Sequence, residues 1–361
     1  MVANPVLGWE RPSDSVMRKS LLVTLLGLAL LPPCAATAAD LDETYSGIPD
    51  YAYQPYVDDS NLPEVPRRTT FRLHGPDTLT ARTWYVAWNG RVRTMLVSYP
   101  RVPSRRRLPL LLVFHGAGNR AVCDRTFGNT PGEFRFIIAC LDGQGAKSRG
   151  YTYGSPQSLA DYLQVPALLR RRLPGLRIDP ARIIASGGSM GGQEALLFGA
   201  TNPQMISTIV AMDAPTDLGK RFWHLPEARQ RALFAECDGT PYLSPACYVA
   251  RSPQTASIAA LAASTQKIIL YWSTTDELSR ADQMPAFARA LHAANPNRAI
   301  VIRIGGWAHG RAWTPATGNT EWLSDAGLAP DATRAETRFA AGWRLVANGD
   351  TWTDDLPAYI G

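Results

Sequence analysis

Residues 182–200 read RIIASGGSMGGQEALLFGA, and the middle of this stretch decides the fold. Arg182–Ser186 reads as a short apolar strand, and Met190–Ala200, rich in small residues, as a helix. Between them runs Gly187-Gly188-Ser189-Met190-Gly191-Gly192. A serine on a sharp strand-to-helix turn collides with side chains two residues away on either side, and Gly187 and Gly191 have none. Such a turn exposes the Ser189 hydroxyl at a helix N-terminus, where developing negative charge is favoured. Other glycine-rich turns fit less well. A dinucleotide fingerprint needs G-x-G-x-x-G with a later acid, and a phosphate loop needs G-x-x-x-x-G-K. A purely structural glycine turn is the remaining alternative on the motif alone.

Working outward, strand and helix patterns alternate. Thr80–Trp88 and Val92–Tyr99 flank Asn89-Gly90, a hairpin signal. Leu108–Phe114 and Phe134–Leu141 are continuous apolar runs, as in strands buried on both faces. Ser158–Arg172 reads as a helix and Ile206–Met212 as a strand. Lys267–Trp272 and Ala299–Ile304 are two further strands around a helix at Met284–Ala294, and Ala335–Val346 reads as a final helix. The pattern predicts a mostly parallel, doubly wound α/β sheet with antiparallel strands at its start. Ligands of such sheets bind at the C-terminal ends of the strands. The interval 216–264, with Pro226, Pro241, Pro245 and Pro253, interrupts the alternation. It reads as a cap inserted over the site, or as a surface insertion.

Three more features sit just past strand ends. His115-Gly116-Ala117-Gly118-Asn119 follows the strand 108–114. In folds with this serine turn, one oxyanion donor comes from that loop and the other from the residue after the nucleophile. The donors are therefore the N–H groups of Met190 and of Ala117, with Gly116 as the alternative; His115 reads as a structural ring bonded within its loop. Asp276 follows the strand 267–272, with Glu277 as a near rival. His309 follows the strand 299–304 in Gly305-Gly306-Trp307-Ala308-His309-Gly310. His74 lies in a turn, His224 in the insertion and His292 on a solvated helix, so His309 is the histidine left for chemistry. The order Ser189, Asp276, His309 is that of a nucleophile, acid and base in this topology. Trp307, Tyr151 and Tyr153 are candidates to line a substrate pocket, or to be core and rim residues.

The remaining chain bounds the setting. The 361 residues are 45% hydrophobic and 19% charged, an ordinary globular composition. The net charge of +6 is modest. The runs Arg105–Arg107 and Arg170–Arg172 read as a solvated loop and a helix end, not a nucleic-acid surface. Met17-Arg18-Lys19, the apolar run Leu21–Leu31 and Ala36-Thr37-Ala38 read as a secretory signal peptide within residues 1–39, and because the first sixteen residues are unlike an export leader, Met17 is the hypothesised start. The run is too short to span a bilayer. Residues 40–66, with Pro49, Pro55, Pro63 and Pro66, form an extended arm; 67–361 form the folded domain. Export leaves Cys123, Cys140, Cys237 and Cys247, which permit two disulfides. Cys237–Cys247 and Cys123–Cys140 are the favoured pairs among three connectivities, with a zinc site disfavoured by the spacing.

On His115–Gly118, Ser186–Gln193, Asp276 and His309, residues 80–348 resemble the α/β-hydrolase superfamily. Within it they resemble secreted esterases related to feruloyl esterases and polyhydroxybutyrate depolymerases, and prolyl-oligopeptidase catalytic domains. The resemblance implies a secreted or periplasmic serine hydrolase acting on small or polymeric carboxylic esters, without metal or organic cofactor. A peptidase of prolyl-oligopeptidase type and an acyltransferase are the alternatives. A binding protein on a retired hydrolase scaffold is the third, and the intact Ser-Asp-His set argues against it.

Overall fold

A computed structural model describes residues 66–330, except 103, 120, 122, 146–149, 280–281, 299 and 310–320, together with a strand at 344–347. The expected leader and nearly all of the expected arm lie outside the described residues.

Ten strands form one sheet in the order β1-β2-β3-β5-β4-β6-β7-β8-β9-β10. The first three, β1 (Thr70–Leu73), β2 (Thr78–Val86) and β3 (Val92–Pro100), run antiparallel. Ala87 N–H donates to Arg91 O and Gly90 takes φ +81°. The β2–β3 turn is therefore a three-residue loop that needs a left-handed glycine. Next come β4 (Leu108–Phe114), β5 (Ile137–Leu141), β6 (Ile178–Gly188), β7 (Thr208–Met212), β8 (Lys267–Ser273) and β9 (Ile300–Gly305), parallel to one another. At the far edge β10 (Arg344–Ala347) pairs antiparallel with β9. The helix expected over 335–346 is thus wrong at its end: residues 344–347 extend the sheet. Pairing with an edge strand outweighs the helix preference of an alanine-containing segment.

Alternation along the central strands builds two cores. On one face Leu108, Leu110, Leu112, Ile183, Ala185, Ile209, Ile268 and Leu270 join residues of α3 (Pro156–Leu163), α4 (Val165–Arg172), α5 (Met190–Thr201), α10 (Ile258–Ala263) and α11 (Gln283–Ala294). On the other, Leu111, Val113, Ile138, Ile184, Val210, Ile269 and Tyr271 meet Phe127 of α1 (Cys123–Phe127) and Trp322 of α12 (Glu321–Asp325). The short α2 (Thr130–Phe134) occupies the start of the segment expected to be strand, which begins at Ile137. The helix expected over 158–172 is two helices separated at Gln164. Pro166 lacks the N–H that a continuous helix would bond to Tyr162, and its ring crowds that carbonyl. Arg172 at the end of α4 lies over the Trp84 ring, 3.5 Å from its centre to the guanidinium carbon.

The interval 216–264 contains α6 (Leu218–Phe222), α7 (Glu227–Cys237), α8 (Pro245–Ala250), α9 (Pro253–Ala256) and α10. Leu218, Phe222, Leu233 and Tyr248 from this interval bury themselves with Tyr151, Tyr153 and Met190 in a third cluster. Disulfides join Cys123 to Cys140 and Cys237 to Cys247. The first ties α1 to β5; the second closes the α7–α8 connection.

Candidate active site

Strand order reverses where β4 lies between β5 and β6. At such a switch point the loops leaving two neighbouring strands splay apart and open a crevice. The two strands involved are those that end in the His115–Asn119 loop and in the Ser189 turn. Phe114 pairs with Gly187, so both loops leave the sheet at the same level.

Ser189 sits between β6 and α5 with φ 57° and ψ −128°, a conformation that side chains disfavour. Its N–H donates to Met212 O over 2.8 Å, and its own carbonyl accepts from Gly192 and Gln193 N–H at 2.9 and 3.1 Å. The glycines are required by contact. A Cβ on Gly191 would lie 2.0 Å from Phe114 O, and one on Gly187 would lie 2.3 Å from Gly191 C. Ser189 is half-buried. The Met190 N–H stands at the first position of α5, where no carbonyl one turn earlier is available to it. Among the described residues neither it nor the Ala117 N–H has a hydrogen-bond partner. His115 is buried, with Nδ1 2.9 Å from Gly116 O, the structural role expected of it.

The residues expected as acid and base meet on the neighbouring strand ends. His309 Nδ1 lies 2.7 Å from Asp276 Oδ2. Asp276 Oδ1 accepts the N–H groups of Leu278 and Ser279, each at 2.8 Å, which fixes the carboxylate plane. Glu277 points to solvent. Ser273 links the two loops: its hydroxyl accepts Trp307 N–H at 3.0 Å and Thr275 N–H at 3.1 Å. With Nδ1 donating to the carboxylate, His309 Nε2 becomes the basic nitrogen. That atom is buried and has no hydrogen-bond partner among the described residues.

Asp213 escaped the sequence reading. It follows β7 with φ 46°, and its donor atom lies within 4.8 Å of those of Asp276 and His309. Its Oδ1 accepts Ser273 N–H at 3.0 Å, and its Oδ2 accepts Trp307 Nε1–H at 3.0 Å. The three residues have metal-ligand chemistry, but these lone pairs and the His309 Nδ1 proton are already engaged with one another and with N–H donors. Asp213 thus braces the loops that carry Asp276 and His309. An acid directly after a third strand was the available signal.

The three residues considered for a pocket part company. Tyr151 and Tyr153 lie with Met190, Phe222 and Tyr248, beside the serine turn. Tyr153 has φ 42°, and its N–H lies 3.3 Å from Met190 Sδ. Trp307 packs in the core on the other face of the sheet, with Val210 and Tyr271.

Behind the serine turn lies a buried polar group. Glu194 on α5 accepts from Thr152 Oγ1 and, at 2.9 Å, from Gly154 N–H. Arg251 donates to Thr152 O at 3.2 Å and lies 3.7 Å from Glu236. Burial raises the Glu194 carboxyl to about 7, against the lowering effect of those hydrogen bonds and of Arg251. A second buried cation, Arg221 on α6, is 3% exposed. Burial lowers it to about 10, while Tyr153 and Asp276 raise it and Arg229 lowers it further. It therefore stays protonated at neutral pH.

No protein-family model matches the sequence, and no curated protein matches it. Solved structures do. A puromycin-hydrolysing peptidase of Mycobacterium tuberculosis superposes with a TM-score of 0.54 at 17% identity, over 78% of this chain and 41% of that one. The fold is that of the α/β-hydrolases. An acylaminoacyl peptidase of Pyrococcus horikoshii gives 0.54 at 14% identity, over 70% of this chain and 41% of that one. A structure from a study of two fungal esterases of Rhizomucor miehei gives 0.54 at 19% identity, over 71% of this chain and 85% of that one. The chain thus spans about two fifths of the two peptidases. In this α/β-hydrolase fold Ser189, the 115–119 loop, Asp213, Asp276 and His309 all follow the C-terminal ends of parallel strands.

Proposed function

We propose that the protein is a secreted serine hydrolase that cleaves carboxylic esters through an acyl-enzyme. The observation that carries this is the 2.7 Å bond between His309 Nδ1 and Asp276, on strand ends two and three places from the Ser189 turn. His309 Nε2 takes the Ser189 proton as Oγ attacks the substrate carbonyl, and Asp276 holds the imidazole in that tautomer and stabilises its charge. The Ala117 and Met190 N–H groups bind the oxyanion, a contribution of about 10²–10³ in turnover per donor. His309 then gives its proton to the leaving alkoxide. Water enters, His309 takes its proton as the hydroxide attacks the acyl carbon, and His309 returns that proton to the departing Ser189 Oγ, releasing the acid and the free serine. Helices α6–α8 act as a cap, and Tyr151 and Tyr153 line the acyl pocket beneath it.

The ester reading is supported by the fungal esterase, of which 85% is matched. The likeness to acylaminoacyl peptidase keeps peptide substrates as the second reading. Export is supported by two disulfides, which persist in oxidising compartments.

A fluorophosphonate probe tests the core of the proposal. Wild type should be labelled, Ser189→Ala and His309→Ala should not, and all three should melt cooperatively. Labelling of Ser189→Ala equal to wild type overturns it. Short-chain esters compared with acyl-peptide and prolyl anilides then decide between the two substrate classes.

A further inference from the structure

Helix α6 carries a charge that the proposed reaction leaves unused. Arg221 is buried to 3% exposure. Its Nη1 has no hydrogen-bond partner, and among the described residues its guanidinium forms no ion pair. Taking a cation out of water without a counter-ion is unfavourable. Where a fold retains one near a reactive centre, the missing counter-charge is a reason to look to the ligand.

The neighbours supply that charge only in part, and none pairs directly with the guanidinium among the described residues. Asp217, one turn earlier on α6, accepts Lys220 N–H at 2.9 Å and pairs with Lys220 Nζ at 3.7 Å. Asp276 supplies part of it, since its charge favours the Arg221 cation, but its hydrogen bonds go to His309, Leu278 and Ser279 and it forms no ion pair with Arg221 among the described residues. Arg229 adds a second positive charge next to Arg221, and among the described residues it too forms no ion pair.

The position is rigid. Gln283 Oε1 accepts Thr216 and Asp217 N–H at 2.9 and 3.2 Å, and Ser252 Oγ accepts Leu218 N–H at 2.8 Å. Phe222, the next residue, packs in the cluster that contains Tyr153 and Met190. A guanidinium carried on this anchored turn offers a planar fork of N–H donors, the shape that matches a carboxylate.

We propose that Arg221, assisted by Arg229, binds a carboxylate on the substrate, so that the preferred substrates are esters bearing a free carboxylate, such as half-esters of dicarboxylic acids. The inference rests on the acyl-transfer reading of Ser189 and adds the substrate class to it. The anion supplies the counter-charge that α6 lacks and fixes the distance from that charge to the scissile carbonyl.

The test uses two ester pairs of similar size. Mono-para-nitrophenyl glutarate against para-nitrophenyl pentanoate places the charge on the acyl side. Para-acetoxybenzoate against phenyl acetate places it on the leaving side. In at least one pair wild type should prefer the anionic member by about tenfold or more in kcat/KM. Arg221→Gln should abolish that preference through KM, keep turnover of the neutral member within about twofold, and melt no lower than wild type. Arg221→Lys should keep part of the preference. No preference in either pair, or one that survives in Arg221→Gln, overturns the proposal. Equal slowing of both members by Arg221→Gln also overturns it and makes Arg221 a positioning residue for Asp276. Ser189→Ala serves as the blank. If the neutral esters show no Ser189-dependent turnover, the acyl-transfer reading itself falls, and that outcome is distinct from loss of the charge preference.

Discussion

Replacing Asp276 by asparagine changes one atom and, by the reasoning above, nearly all of the activity. The carboxylate faces three donors: Leu278 N–H and Ser279 N–H at 2.8 Å on Oδ1, and His309 at 2.7 Å on Oδ2. An asparagine has one oxygen and one NH₂ to meet them. Turning the NH₂ toward the two backbone donors leaves both unsatisfied, at about 1–3 kcal/mol each. Turning it toward His309 costs one bond, which the ring recovers by moving its own proton from Nδ1 to Nε2. The second arrangement therefore wins by a few kcal/mol, and the protein folds with its histidine in the wrong tautomer. Nε2 then carries a proton and cannot accept one from Ser189. The expected loss is about 10⁴ in kcat, or about 5.5 kcal/mol of barrier. KM should change little, since no substrate contact is lost. Steady-state ester hydrolysis with Ser189→Ala as the blank measures it, and crystallography of the variant reads the amide orientation from its neighbours. Asp276→Asn activity within tenfold of wild type refutes the reasoning. So does a Glu277→Gln variant that loses activity while Asp276→Asn keeps it.

Two further predictions concern the frame around the site. Gly191→Ala sets a Cβ 2.0 Å from Phe114 O, so α5 and β4 must separate. A loss of about 3 kcal/mol, at the upper end for overpacking, should appear as a lower urea midpoint together with lost turnover, and an unchanged midpoint contradicts the contact. Glu194 titrates near 7 in the fold instead of its usual 4.5, so as pH rises the unfolded chain ionises first. Its contribution to stability is fully present below about pH 4.5 and falls by about 3 kcal/mol by about pH 7. Glu194→Gln keeps an acceptor for Thr152 and Gly154 and should remove that slope, making the variant the more stable form at pH 8. Parallel stability profiles for the two proteins rule this out.

Much of the architecture was legible because its determinants are local. Leu108–Phe114 is apolar at every position, and burial on both faces follows from that alone. The serine turn announces itself through glycines that contact requires. The acid and base were legible through order: each lies a few residues beyond an apolar strand, and parallel strands bring their ends together. Other features depend on partners distant in sequence. Residues 344–347 become a strand because β9 has an open edge. Asp213 looks like any acid after a strand until Trp307 and Ser273 arrive from elsewhere. The burial of Arg221 has no sequence signature, since it depends on where Tyr153 and the start of α11 fall. Trp307 is two residues from His309 in sequence, yet its side chain packs in the core on the other face of the sheet.

The conformation of Ser189 bears on how such a sequence changes over time. A serine at φ 57° and ψ −128° costs about 1–3 kcal/mol that a glycine would not, out of a total stability of about 5–15 kcal/mol for a typical domain. On the proposed role of Ser189, the sturdiest form of this molecule is therefore an inert one. Selection for persistence alone would draw position 189 toward glycine, while the proposed chemistry would hold it at serine against a standing pull. On the proposed role the serine is maintained by use, and a lineage released from that use would be expected to lose the hydroxyl early and gain thermal stability as it did so.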